Sequence, residues 1–368
     1  MKAGWLLTIL LPLAQLAAGA CSPRVPLTPP QQAVRPADPD SAESRLALRP
    51  PVGVTSRVFR DDVRDRMLAT TIWYPATAGT VEQEIEWDGI FPGSSAWDAP
   101  IRPAPWRLPL VLLSHGSGGD GTNLAWLAEA LASRGYLVAA VDHPGDRFGD
   151  SSVEGRLAAW RRPPDVSATL TQLLADPVLG PRVDRRRIVA AGHSSGALTV
   201  LALAGARLQP SAFFAYCHGP TAGSDCAFFA DVEPTRIPDL PEAGKSFRDR
   251  RIRAVVALAP VMGPGVTASS LRRIGIPVTI IASRTDELVP FRRNAARYQR
   301  LIPRARLTTI PAAGHFVFMP VCSEPGRLVA AQVCVDRTPE VDRPAVHART
   351  GTLIIAFFDR SLGIGRSR

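Results

Sequence analysis

Short apolar runs punctuate this chain, each followed by a longer stretch of mixed polarity. Pro109-Leu110-Val111-Leu112-Leu113, Leu137-Val138-Ala139-Ala140-Val141, Ile188-Val189-Ala190-Ala191 and Val278-Thr279-Ile280-Ile281-Ala282 are uncharged and too short for typical helices. Such runs predict strands buried on both faces, as in a parallel sheet. Between them, stretches such as Ala197-Leu198 and Leu201-Ala202-Leu203-Ala204 predict covering helices. Upstream, Arg57-Val58-Phe59-Arg60 and Met67 to Tyr74 read as an antiparallel hairpin that opens the sheet. The expected fold class is α/β, a mostly parallel central sheet flanked by helices. Residues 208–248 break the rhythm, with Phe213, Phe214, Tyr216, Phe228, Phe229, several prolines and two cysteines. Two placements suit this insert: over a site as part of its pocket, or against the sheet edge.

The run at 188–191 leads into Gly192-His193-Ser194-Ser195-Gly196, with the Ala/Leu helix behind it. Strand, Gly-x-Ser-x-Gly and helix are the parts of a nucleophile elbow. The turn is so tight that a side chain at either glycine would collide with neighbouring structure. It pushes the Ser194 hydroxyl out at the top of the sheet. It also leaves the Ser195 N–H at a helix start, where it can bind an oxyanion. The competing reading is an ordinary strand-to-helix turn with a capping serine.

A serine hydroxyl attacks at neutral pH only with a base beside it and a group that orients the base. In the expected chain order the acid follows the serine and the histidine comes last. Of the three downstream histidines, His315 ends a predicted strand and small-residue loop, Leu307-Thr308-Thr309-Ile310-Pro311-Ala312-Ala313-Gly314. His218 lies beside Cys217 in the insert and is expected to be structural. His347 lies in an Arg-rich segment and is expected in solvent. Asp286 follows the strand at 278–282 and is the acid candidate, with Val289-Pro290 expected to start the next helix. Its other reading is a helix cap. Glu287 competes with it, and Asp142, after a strand but ahead of Ser194, fits the order less well. The Gly-rich loop His115-Gly116-Ser117-Gly118-Gly119 follows the strand at 109–113, and the Ser117 N–H is the candidate second oxyanion donor. The loop lacks the Gly-Lys-Ser/Thr of a phosphate-binding loop. His115 and His143 are expected to shape loops rather than to move protons.

The formal charge is +10, carried by arginine, since Lys2 and Lys245 are the only lysines. The arginines are scattered and lack interleaved aromatics, which argues against a nucleic-acid partner. A solvated surface is the plain reading; the other is attraction to an anionic envelope or to anionic esters. Residues 1–20 have a charged start, an apolar core from Trp5 and small residues at the end, as in a secretory signal. That core is short for a membrane span. Ala18-Gly19-Ala20 suits signal peptidase, and with Cys21 behind it also fits a permissive lipobox. Exported proteins tend to pair their cysteines. Pairing Cys217 with Cys226 and Cys322 with Cys334 leaves Cys21 alone of the five, which favours its lipid modification and a membrane anchor. Residues 21–52 read as a Pro-rich tether and 53–364 as the catalytic domain, containing the insert. No Cys-x-x-Cys occurs, and no metal or cofactor is expected.

From about Val54 to Phe358 the chain resembles bacterial secreted α/β-hydrolases of the dienelactone-hydrolase-like group, relatives of the platelet-activating-factor acetylhydrolases. Carriers are Pro109 to Gly116 with the following glycines, Gly135 to Gly145, Arg162-Pro163-Pro164-Asp165-Val166, Gly192 to Gly196, Asp249 to Pro260, and Gly314-His315-Phe316-Val317-Phe318. The resemblance implies an α/β-hydrolase fold and a metal-free carboxylic-ester hydrolase acting on small or short-chain esters. It makes Ser194 the nucleophile, Asp286 the acid, His315 the base, and the Ser117 and Ser195 N–H groups the oxyanion hole. Two departures stand out. Dienelactone hydrolases use cysteine where Ser194 stands, and the acetylhydrolases often carry a bulky apolar residue at the Ser117 position. A cutinase-like polyester hydrolase, a peptidase or acyltransferase, and a non-catalytic envelope lipoprotein are the other readings on this scaffold.

Overall fold

The computed structural model describes residues 49–229, 240–336 and 341–365. The signal segment, Cys21 and nearly all of the tether lie outside these residues, as do positions 230–239 of the insert. Ten strands form the main sheet: β1 (Val52–Asp61), β2 (Arg66–Pro75), β3 (Gln83–Trp87), β4 (Phe91–Trp97), β5 (Leu108–Ser114), β6 (Leu137–Val141), β7 (Val183–His193), β8 (Ile252–Leu258), β9 (Val278–Ser283) and β10 (Ala305–Ile310). Their order is β10-β9-β8-β7-β5-β6-β2-β1-β4-β3. From β10 to β6 all neighbours are parallel. β2 joins β6 antiparallel, and β1 pairs with β2 as the expected hairpin, from Val52 opposite Pro75 to Asp61 opposite Arg66.

The helices that matter below are α1 (Ala125–Ala132), α2 (Arg162–Ala175), α3 (Ser195–Ala204), α4 (Pro210–Cys217), α5 (Ala295–Leu301) and α6 (Arg343–Leu362). Strand β5 is buried along its whole length, and its pleat divides its side chains between two cores. Leu110 and Leu112 pack with Leu170 and Leu173 of α2 and with Leu198 and Leu201 of α3. Val111 and Leu113 face the other way, toward Leu127 and Leu131 of α1 and Ile354 and Phe358 of α6. Two covered faces explain why the parallel strands carry continuous apolar runs rather than alternation. Helix α2 opens with Pro163-Pro164, where N–H groups have no acceptor within the helix and proline's missing donor forfeits no helix bond. Helix α6 starts under an Asp342 cap and stops at Gly363, whose φ of 66° reverses the chain.

Cys217 is bonded to Cys226 and Cys322 to Cys334, the expected pairs. The helix expected directly after Val289-Pro290 begins only at Ala295. Asn294 holds the chain out of helical geometry, because its side chain accepts from the Gly263 N–H at 2.7 Å and donates to Asp225 at 3.0 Å. No helix among the described residues is long and apolar enough to cross a membrane. The segments after β5, β7, β9 and β10 all leave the carboxyl edge of the parallel sheet, which brings distant parts of the sequence together there.

Candidate active site

Ser194 lies between β7 and α3 with φ 56° and ψ −118°, a conformation that costs a side-chain-bearing residue roughly 1–3 kcal/mol. Crowding enforces the turn. A Cβ on Gly192 would meet the Gly196 carbonyl, and one on Gly196 would meet the carbonyls of Ser114 and His115. The Ser194 N–H is tied to the Leu258 carbonyl at 2.9 Å, which fixes the elbow to the end of β8. Ser195 is the first residue of α3, so its N–H has no acceptor within the helix and sits at the positive end of the helix dipole.

His315 follows β10, and its Nδ1 lies 2.7 Å from Asp286 Oδ2, with both side chains nearly closed to solvent. The other carboxylate oxygen of Asp286 accepts from the N–H groups of Leu288 at 3.0 Å and Val289 at 2.8 Å. Asp286 therefore orients the imidazole and caps its own turn with one carboxylate. Glu287 accepts from the backbone N–H of His315 at 3.3 Å and so holds the loop. Asp142 accepts from Gly121 N–H and faces Arg147, apart from this pair. His193 donates from Nε2 to the His315 carbonyl at 3.1 Å, with the two rings 4.9 Å apart. Burial, then the charge of His315, pushes His193 well below the ordinary histidine range and keeps it neutral.

The loop after β5 passes directly over the elbow: a Cβ on Gly116 would stand 3.5 Å from that of Ser194. Ser117, Ser194, Ser195 and His315 all border one cavity of about 820 Å³. Phe91, Leu157, Phe213, Met262, Val289 and Met319 supply apolar walls. Phe213, Asp225 and Ala227 come from the insert, which thus forms part of the pocket. The arrangement brings a serine hydroxyl, an oriented imidazole, and residues Ser117 and Ser195 to the border of a space large enough for a small organic molecule.

Residues 110–332 match the alpha/beta hydrolase family. The chain belongs to that family. A solved ferulic acid esterase from Streptomyces cinnamoneus is similar in fold, with a TM-score of 0.57 at 23% identity over 85% of this chain and 91% of that one.

Within this alpha/beta hydrolase the remaining histidines are all placed. His347 is buried, against the expectation of solvent. Its ring lies parallel to Trp126 at 4.2 Å, and its Nε2 donates to the Val317 carbonyl at 2.9 Å, two residues beyond His315. Burial pushes it down to about 4. The signal was present in the spacing: His347, Thr350, Gly351, Ile354 and Phe358 recur on one face of α6, and the flanking arginines disguised it. His218 bonds the Phe214 carbonyl at the end of α4, a structural role as expected. His115 and His143 are both sealed beneath the Gly-rich loop. His143 accepts from Ser114 Oγ at 2.9 Å and donates to Asp165 at 3.0 Å, a second serine–histidine–aspartate chain. All three members are fully buried, so substrate has no access to it. Asp146 and Arg162, also buried in this region, were not identified as site residues from sequence.

Proposed function

We propose that this alpha/beta hydrolase is a serine carboxylic-ester hydrolase working through an acyl-enzyme. The observation that carries the reading is the 2.7 Å contact between His315 and Asp286 beside a cavity that Ser194 also borders. In this mechanism the Nε2 of His315 takes the Ser194 proton as Oγ attacks the ester carbonyl. Asp286 keeps the second imidazole proton on Nδ1 and stabilises the positive ring. The N–H groups of Ser117 and Ser195 receive the oxyanion, each contributing about 3–4 kcal/mol. His315 then protonates the departing alcohol. Water, deprotonated by the same ring, cleaves the acyl-enzyme, releases the acid and restores Ser194.

Within the family, the likeness to dienelactone-hydrolase-like and acetylhydrolase-like proteins and the apolar cavity support small esters as substrates. Residues 1–20 then serve export, Cys21 carries a lipid, residues 21–52 tether the enzyme to the envelope, and residues 53–364 do the chemistry. A cutinase-like polyester hydrolase is the second reading. It is favoured by Phe148, Val153 and Val329, which line the cavity yet are 69%, 47% and 75% exposed. A fluorophosphonate should label the protein, and Ser194→Ala should abolish both labelling and turnover of aryl esters while thermal unfolding is retained. Wild-type turnover in that variant would reject the assignment. An acyl-chain series, with a ferulate ester and a polymer film beside it, then sizes the substrate.

A further inference from the structure

Beneath the loop that follows β5, the side chains of Asp146 and Arg162 are 2% and 1% exposed, and neither reaches the cavity as a lining residue. They grip the loop at three points. Asp146 Oδ1 accepts from the Ser117 hydroxyl and from the Gly118 N–H, both at 2.8 Å. Asp146 Oδ2 is paired with Arg162 at 2.5 Å. The other terminal nitrogen of Arg162 donates to the His115 carbonyl. A fourth polar group, the Gly116 carbonyl, accepts from His115 Nδ1 at 2.6 Å.

A Gly-rich loop has many conformations in isolation, and Gly118, at φ 70°, uses one that favours glycine. An oxyanion donor works only when it is already aimed at the place where charge will develop. Here the aspartate binds the hydroxyl of Ser117 and the N–H of the next residue. This leaves the Ser117 N–H, between the gripped groups, for the substrate oxygen. Arg162 sets its guanidinium against the Asp146 carboxylate, and it locks the loop's first carbonyl with the same planar group. Arg162 and Asp165 stand one turn apart at the start of α2, and Asp165 holds Ser114 through His143. One helix end thereby fixes both the end of β5 and the loop beyond it.

We propose that Asp146, backed by Arg162, is the positioning residue of the oxyanion hole, setting the direction of the Ser117 N–H without touching substrate. The proposal rests on the acyl-enzyme reading above. It is tested by Asp146→Asn, which keeps the size and removes the charge that Arg162 faces. Steady-state kinetics on a soluble aryl ester should show kcat lowered by at least about tenfold with KM within about twofold, because a displaced donor weakens the transition state rather than the ground state. Affinity for an alkylboronic acid, which forms the tetrahedral anion on Ser194, should fall by a similar factor, while thermal unfolding still shows one cooperative transition. Unchanged kcat and boronate affinity in a folded variant would overturn the proposal. A rise in KM with kcat unchanged would also overturn it, since that marks a reshaped pocket. Where Asp146→Asn does not fold, Ser117→Ala removes one strand of the grip and should lower kcat and boronate affinity together by a smaller factor; no change in either would overturn the proposal. Fluorophosphonate labelling of the wild type separates the two levels. Labelling with wild-type kinetics in Asp146→Asn rejects the positioning role alone, and absence of labelling rejects both readings.

Discussion

Ser194 is held in strained backbone by its neighbours, not by its own preference, so the cost of the elbow can be measured. Ser194→Gly and Ser194→Ala should both be inactive. Glycine tolerates φ 56°, however, so urea unfolding should find the glycine variant more stable than the alanine variant by about 1 kcal/mol, even after glycine's larger entropy loss. Equal stability would mean that the turn is relaxed. At this scale much of the candidate site was legible from sequence. Gly192, Ser194 and Gly196 declare themselves because a tight strand-to-helix turn restricts residue type, and Asp286 and His315 follow from chain order and strand ends. His347 was not legible as a buried group, since its environment depends on which way α6 turns. Asp146 was not legible either: its partner Arg162 is 16 positions away, and the carbonyl that Arg162 reaches belongs to His115, 47 positions away. No local pattern encodes such a meeting.

The apolar runs placed the parallel strands at the level of elements because both of their faces are covered. The late start of α5 was missed because the side chain of Asn294 overrides local helix preference. The two disulfides bound segments that build the cavity. Asp225 lies between Cys217 and Cys226, and Val329, Ala330, Gln332 and Val333 lie between Cys322 and Cys334. Opening the second bridge frees a segment of sequence separation 12, worth about 3 kcal/mol on chain-entropy grounds. The double variant Cys322→Ser/Cys334→Ser should therefore unfold at lower temperature and show KM raised several-fold. Its kcat should stay within about twofold, because the proposed catalytic residues Ser194, Asp286 and His315 sit on other segments. A loss confined to kcat would show that the stapled segment supports the chemistry rather than the pocket.

Across the whole molecule, two buried groups pull the pH dependence of stability in opposite directions. Burial raises Glu129 to about 7, and its carboxyl also receives the Ser94 N–H at 3.1 Å. The folded protein therefore keeps a proton that the unfolded chain releases near 4.5, and this contribution fades as pH rises from there through 7. His347 works the other way. It stays neutral in the fold down to about 4, whereas the unfolded ring protonates near 6.5. Its contribution, on the order of 3 kcal/mol, is complete above 6.5 and disappears as pH falls to about 4. Thermal unfolding across pH 4–8 should show Glu129→Gln flattening the decline toward neutral pH. A parallel offset, with the slope unchanged, would contradict the assignment.

The entombed trio of Ser114, His143 and Asp165 separates chemical competence from mere constellation. It has the donors and acceptors of a hydrolytic centre, yet its value to the protein is mechanical, like a rivet under the Gly-rich loop. Loss of function after changing His143 would accordingly report a slackened scaffold, and severity of a phenotype alone would rank a rivet alongside a reagent. What sorts them is reach: only an oxygen that an incoming electrophile can meet belongs to the chemistry.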